Sequence, residues 1–146
     1  MKKILLTTAL LTLTSPAFAA DGKAVYGTWL TESGSAHVDI VDCGDGTPCG
    51  TVTHLTNPAS AGKLDTNNPD PELAKKTIVG SRMLWGFKAK SDKWSSGRIY
   101  DAESGKDYKS KIKLLDDGTL EVKGCVSIAC KTQIGRLSRR TKAVLL

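Results

Sequence analysis

Residues 108–125 read YKSKIKLLDDGTLEVKGC, and this stretch decides the fold. Tyr108, Ser110, Ile112 and Leu114 alternate with Lys109, Lys111 and Lys113, the period-two pattern of a strand with one face in a core and the other in water. Asp116-Asp117-Gly118 is a strong hairpin signal, because these residues accept the backbone conformations of a tight turn. Beyond it, Leu120 and Val122 continue the inward face while Glu121 and Lys123 continue the outward one.

The same reading extends in both directions. Strands are expected at residues 25–31, 36–42, 50–55, 83–89 and 94–100, and a last one at 131–139. In 83–89, Met83, Trp85 and Phe87 fall on one face, and in 94–100 Trp94, Ser96, Arg98 and Tyr100 do. About eight antiparallel strands with short connections are all-β, and a sheet of that length curls or closes on itself. The expected architecture is therefore a small up-and-down β-barrel or a strongly bent sheet, with a β-sandwich as the alternative. Residues 56–71 are polar, rich in Asn, Pro, Gly and Asp, and read as one long loop. After it, Asp70 as N-cap, Pro71 at the first helical position and Glu72 in the first turn predict one short helix over 70–77.

The N-terminus carries Lys2 and Lys3, an apolar run over 4–13 and the small-residue site Ala17-Phe18-Ala19, the layout of a secretory signal peptide cleaved after residue 19. Residues 20–146 are then a single β domain, exported to the periplasm or secreted. The apolar run is shorter than the ~20 residues of a membrane span, and no later stretch approaches that length. Losing the two leader lysines lowers the net charge from +6 to +4. That modest excess suits solubility, or contact with acidic partners, and no nucleic-acid-binding motif accompanies it.

Cys43 and Cys49 bracket the turn Gly44-Asp45-Gly46-Thr47-Pro48, and Cys125 and Cys130 bracket another. Four cysteines allow three pairings, and the local one, Cys43 with Cys49 and Cys125 with Cys130, fits the turns and an oxidising compartment. Rings this small contribute about 2 kcal/mol each, so they clamp corners. Zinc does not fit: the pairs lack flanking histidines and zinc-site spacing.

No nucleophile elbow, metalloprotease helix or phosphate loop is present, and no catalytic residue or cofactor is assigned. His37 and Asp39 share a strand face without a nucleophile and read as a surface pair. Asp65-Thr66-Asn67-Asn68-Pro69-Asp70 resembles a calcium loop in spacing but lacks its central glycine, and Lys76 stands where its last carboxylate belongs. The candidate ligand-binding set is Trp85, Trp94, Arg98 and Tyr100, with the aromatics lining a cavity and Arg98 meeting a carboxylate or phosphate. Their alternative role is to fill the core.

GTWLT at 27–31, VDIVDCGDGTPCGTV at 38–52, LDTNNPDP at 64–71, WSSGRIYDAESGKDYKSKIKL at 94–114 and LEVKGCVSIAC at 120–130, in this order, resemble the exported bacterial family grouped as domain of unknown function 2147. That resemblance implies an envelope or secreted β protein whose activity is not established. The family's closing segment carries a tryptophan near where this chain has Gly135, so no role transfers there. Gly27-Thr28-Trp29 with Arg136 or Arg139 also resembles lipocalin-like barrels, in which a late arginine closes over the first-strand indole. Two functions follow as expectations. One is non-catalytic binding of a small, partly apolar or anionic ligand; the other is contact with an envelope component, a protein or acidic glycan, through the basic face and the long loop.

Overall fold

The structure, a computed structural model, describes residues 21–138. The expected signal peptide and Arg139 lie outside the described residues. Among the described residues there are nine strands: β1 Gly27–Leu30, β2 Ala36–Asp42, β3 Pro48–Leu55, β4 Arg82–Trp85, β5 Lys88–Lys90, β6 Lys93–Asp101, β7 Lys106–Leu114, β8 Leu120–Val126 and β9 Ala129–Leu137. Their order is β4-β3-β2-β1-β9-β8-β7-β6-β5, and β4 also pairs with β6. That last pairing closes eight strands into an antiparallel barrel and leaves β5 as an extra ribbon on β6. Closure excludes the sandwich.

The hairpin at Asp116-Asp117-Gly118 forms as its residues dictate. Leu115 N–H bonds Thr119 O, and Asp117 accepts from the amide and hydroxyl of Thr119. Both disulfides are local, Cys43–Cys49 and Cys125–Cys130, one closing the β2–β3 turn and one the β8–β9 turn.

Two expected strands change course. The run at 83–89 breaks at Gly86, whose φ of 72° is a conformation glycine adopts without strain. Leu84 and Phe87 turn into the core and Trp85 turns out of it. In β6, Trp94 pairs with Ile112 but Gly97 pairs with Ser110, so Ser95 and Ser96 together face the single Lys111, with Ser96 at φ 59°. This β-bulge inserts one residue and reverses the alternation after it. Trp94 stays inside, while Arg98 and Tyr100 point out of the barrel.

The expected helix over 70–77 is a single turn. Asp70 does cap it, its carboxylate accepting from the amides of Glu72 and Leu73, and Ala74 N–H reaches Asp70 O. The chain then leaves the turn, because Lys76 O accepts from Asp65 N–H and Ile78 N–H bonds Lys63 O, a ladder across the base of the loop that a helix would forfeit. A short 3₁₀ turn forms instead at Pro58–Ser60, capped by Asn57.

Apolar side chains pack in the interior. Val25, Trp29, Val38, Ile40, Leu84, Phe87, Trp94, Ile112 and Leu120 form one buried cluster, and Ala36, Val52 and Ile78 a second. Residues 21–26 tuck beneath the barrel, where Lys23 O accepts from the Trp94 indole and Val25 O from that of Trp29. Arg136 pairs with Leu30 and is exposed, so it does not cover the Trp29 indole.

Candidate functional site

The long connection between β3 and β4 folds back against the outer wall of the barrel, and a pocket lies between the two. It measures about 760 Å³. The wall supplies Trp85, Tyr100 and Asp107; the loop supplies Asp65, Pro69, Leu73, Lys76 and Val79, and Arg82 opens β4 at its edge.

Asp65 anchors the loop. It is 2% exposed, and its two carboxylate oxygens accept from the Tyr100 hydroxyl and from Asn68 Nδ2, each at 2.8 Å. A carboxylate this deep needs such donors, since burying it unpaired would be prohibitive. Asn67 adds a second tether by donating to the carbonyls of Ala102 and Glu103 in the β6–β7 turn. That approach requires Gly105: a Cβ there would lie 1.9 Å from Asn67 O, and its φ is 67°.

Burial first, and then the hydrogen bond to Asp65 and its charge, push the Tyr100 hydroxyl up to about 12. An unfolded tyrosine ionises near 10, so between about 10 and 12 the folded state holds a proton that the unfolded state has lost. The contribution of Tyr100 is therefore complete below pH ~10 and is lost as pH rises to about 12. Urea denaturation across this range is expected to show a fall in stability that Tyr100→Phe flattens. An equal fall in both proteins would count against the assignment.

The candidate residues divide. Trp85 and Tyr100 line the outer pocket; Arg98 lies beside it, in an ion pair with Asp107. Trp94, 8% exposed, belongs to the core. Both carboxylates of the lining are engaged, Asp65 by Tyr100 and Asn68 and Asp107 by Arg98. Lys76 and Arg82 form no ion pair among the described residues. The pocket thus combines apolar walls with two uncommitted cations.

The calcium-like run spends its oxygens on its own turns: besides the Asp65 contacts, Asn68 Oδ1 accepts from Asp70 N–H and Asp70 caps its turn. Among the described residues no group of three or more His, Cys, Asp or Glu is placed to hold a metal. His37 faces His54 across β2 and β3, ring centroids 5.5 Å apart, and Asp39 lies within reach of Thr53 Oγ1. No helix among the described residues is long and apolar enough to cross a membrane.

A family model described as an uncharacterized protein conserved in bacteria, DUF2147, matches residues 27–135. No curated protein matches the chain. Among solved structures, the chain is similar to one described as protein HP1028 from the human pathogen Helicobacter pylori, which belongs to the lipocalin family. The TM-score is 0.70 at 21% identity, over 80% of this chain and 85% of that one. At this identity the likeness concerns the fold, a lipocalin-like closed barrel.

Proposed function

The chain belongs to the bacterial family DUF2147, and from that premise and the pocket under its long loop we propose that it is an exported, non-catalytic binding protein for a small, partly apolar, anionic ligand. The observation that carries this reading is the pairing of apolar walls, Leu73, Val79, Trp85 and Tyr100, with Lys76 and Arg82, whose charges no carboxylate among the described residues takes up. An apolar body fits the wall and an anionic head fits the cations, an arrangement typical of ligand sites with a few placed polar groups. Export is supported by the leader-like N-terminus and the two disulfides, which persist in oxidising compartments.

Decanoate and decanol test the reading, with Trp85 emission as the signal. Decanoate is expected to bind the wild type more tightly than decanol does. The double variant Lys76→Glu and Arg82→Glu is expected to lose about tenfold or more in decanoate affinity while its decanol affinity stays level. Equal binding of both probes to the wild type, or of neither, refutes the proposal.

A further inference from the structure

The β8–β9 hairpin ends in an apolar tip that no part of the described chain covers. Ile128 is 98% exposed and Val126 61%. The turn passes through Ser127 at φ 54°, and Cys125–Cys130 closes the ring one residue pair behind Val126 and Ala129. A long apolar loop would fold back onto its own surface. A two-residue turn with a covalent bond across its base has no such freedom, so its side chains stay presented to the outside.

The tip also projects. Among the described residues β9 pairs with β1 only through Leu137 and Arg136, so residues 129–135 run on beside β8 with no described strand on their other edge. That edge carries Lys131, Thr132 and Gln133, polar residues of the kind that discourage strand addition. The apolar character is confined to the end.

Cations stand directly behind it. Lys109 lies opposite Cys125 and Lys131 opposite Gly124, one on each face of the sheet, one and two residue steps back from the tip pair. At strand spacing that is about 3–7 Å behind the apolar side chains. Lys106 and Lys111 extend the charge along β7. None of these four lysines is in an ion pair among the described residues, whereas Asp107 and Glu121 on the same strands are held by Arg98 and Lys123. Asp101, opposite Lys106, and Glu32 and Glu103, on the adjoining turns, are outnumbered by the four lysines.

Apolar in front and cationic behind is the layering of a bilayer interface with anionic headgroups. We propose that residues 126–129 dock on an anionic phospholipid surface, with Ile128 and Val126 entering the boundary between headgroups and acyl chains and Lys109 and Lys131 meeting the phosphates. This inference stands independently of the ligand proposal. It does connect with it: the antiparallel registers place the ends of β6 and β8 and the starts of β4 and β7 at one end of the barrel, so docking carries the long loop and its pocket to the membrane.

Co-sedimentation with phosphatidylglycerol-containing vesicles, and with phosphatidylcholine vesicles as the neutral control, tests it, using the protein as its own cells process it. The wild type is expected to sediment with the anionic vesicles and to be released by salt. Ile128→Asp, at a position too exposed to affect folding, is expected to lower that partition about tenfold or more at an unchanged melting temperature. Ile128→Trp is expected to shift its emission to the blue on the anionic vesicles. The proposal is overturned if the protein binds neither vesicle, if it binds both equally, or if Ile128→Asp sediments like the wild type.

Discussion

Replacing Asp65 with alanine is expected to lower the unfolding free energy by about 3–4 kcal/mol and to abolish binding in the pocket under the loop. Two charge-assisted hydrogen bonds disappear at once, and their donors, Tyr100 Oη and Asn68 Nδ2, are left facing a void. The donors cannot both turn to water, because Tyr100 is itself only 8% exposed. Asp65→Asn is expected to cost about half as much. Its carbonyl still accepts from Tyr100, but its amide then meets the amide of Asn68, which cannot flip without releasing Asp70 N–H from Asn68 Oδ1. Urea denaturation gives the energies, and hydrogen exchange at the Asp65 and Ile78 amides, which close the base of the loop, shows whether the loop opens before the barrel. A loss within ~0.5 kcal/mol for Asp65→Ala would mean that the loop is held by other contacts.

The strands of this protein were readable because most of them bury one face, and a period of two survives in the sequence wherever nothing is inserted. The β7–β8 hairpin is the clearest case: its lysines face water and Ser110 and Ile112 are buried, as the alternation requires. The candidate site was legible only in part, for a physical reason that lies in two serines. A bulge usually announces itself by glycine at the positive-φ position, and in β6 that position is Ser96. Nothing in WSSGRIY marks the extra residue, so the alternation carries Trp94 onto the face of Arg98 and Tyr100, where the structure does not put it.

The long loop was harder still. Its polar residues read as solvent-exposed turn formers or calcium ligands, because hydrogen bonds to a residue 35 positions away, such as Asp65 to Tyr100, leave no local pattern. The capping signal at Asp70 was sound, but a cap contributes about 1 kcal/mol and does not outweigh the backbone pairing of Leu64 with Thr77. The short β-branched run Thr77-Ile78-Val79 was the available clue that the loop returns to the barrel; Ile78 is buried against Ala36 and Val52.

The two tryptophans that the sequence groups together are expected to respond to alanine in opposite ways. Trp94→Ala removes a core indole that packs with Phe87 and Ile112 and donates to Lys23 O at the closed base of the barrel. Its expected cost is about 3–5 kcal/mol, the usual range for deleting a buried aromatic, and the N-terminal segment loses its tie to the base. If the variant folds, its decanoate affinity is expected to stay near that of the wild type, because the pocket is on the other side of the wall. Trp85→Ala removes a half-buried ring from the outer face, where solvent or the loop fills the space, and is expected to cost under about 1 kcal/mol. It also removes the pocket's largest apolar surface, so decanoate affinity is expected to fall about tenfold or more. Acrylamide quenching separates the residues before any ligand is added: Trp85 is the accessible indole, and Trp29 and Trp94 are shielded. Loss of binding in Trp94→Ala at unchanged stability would place the ligand inside the barrel, and the bulge at Ser95 and Ser96 would then not divide the two faces as the register requires.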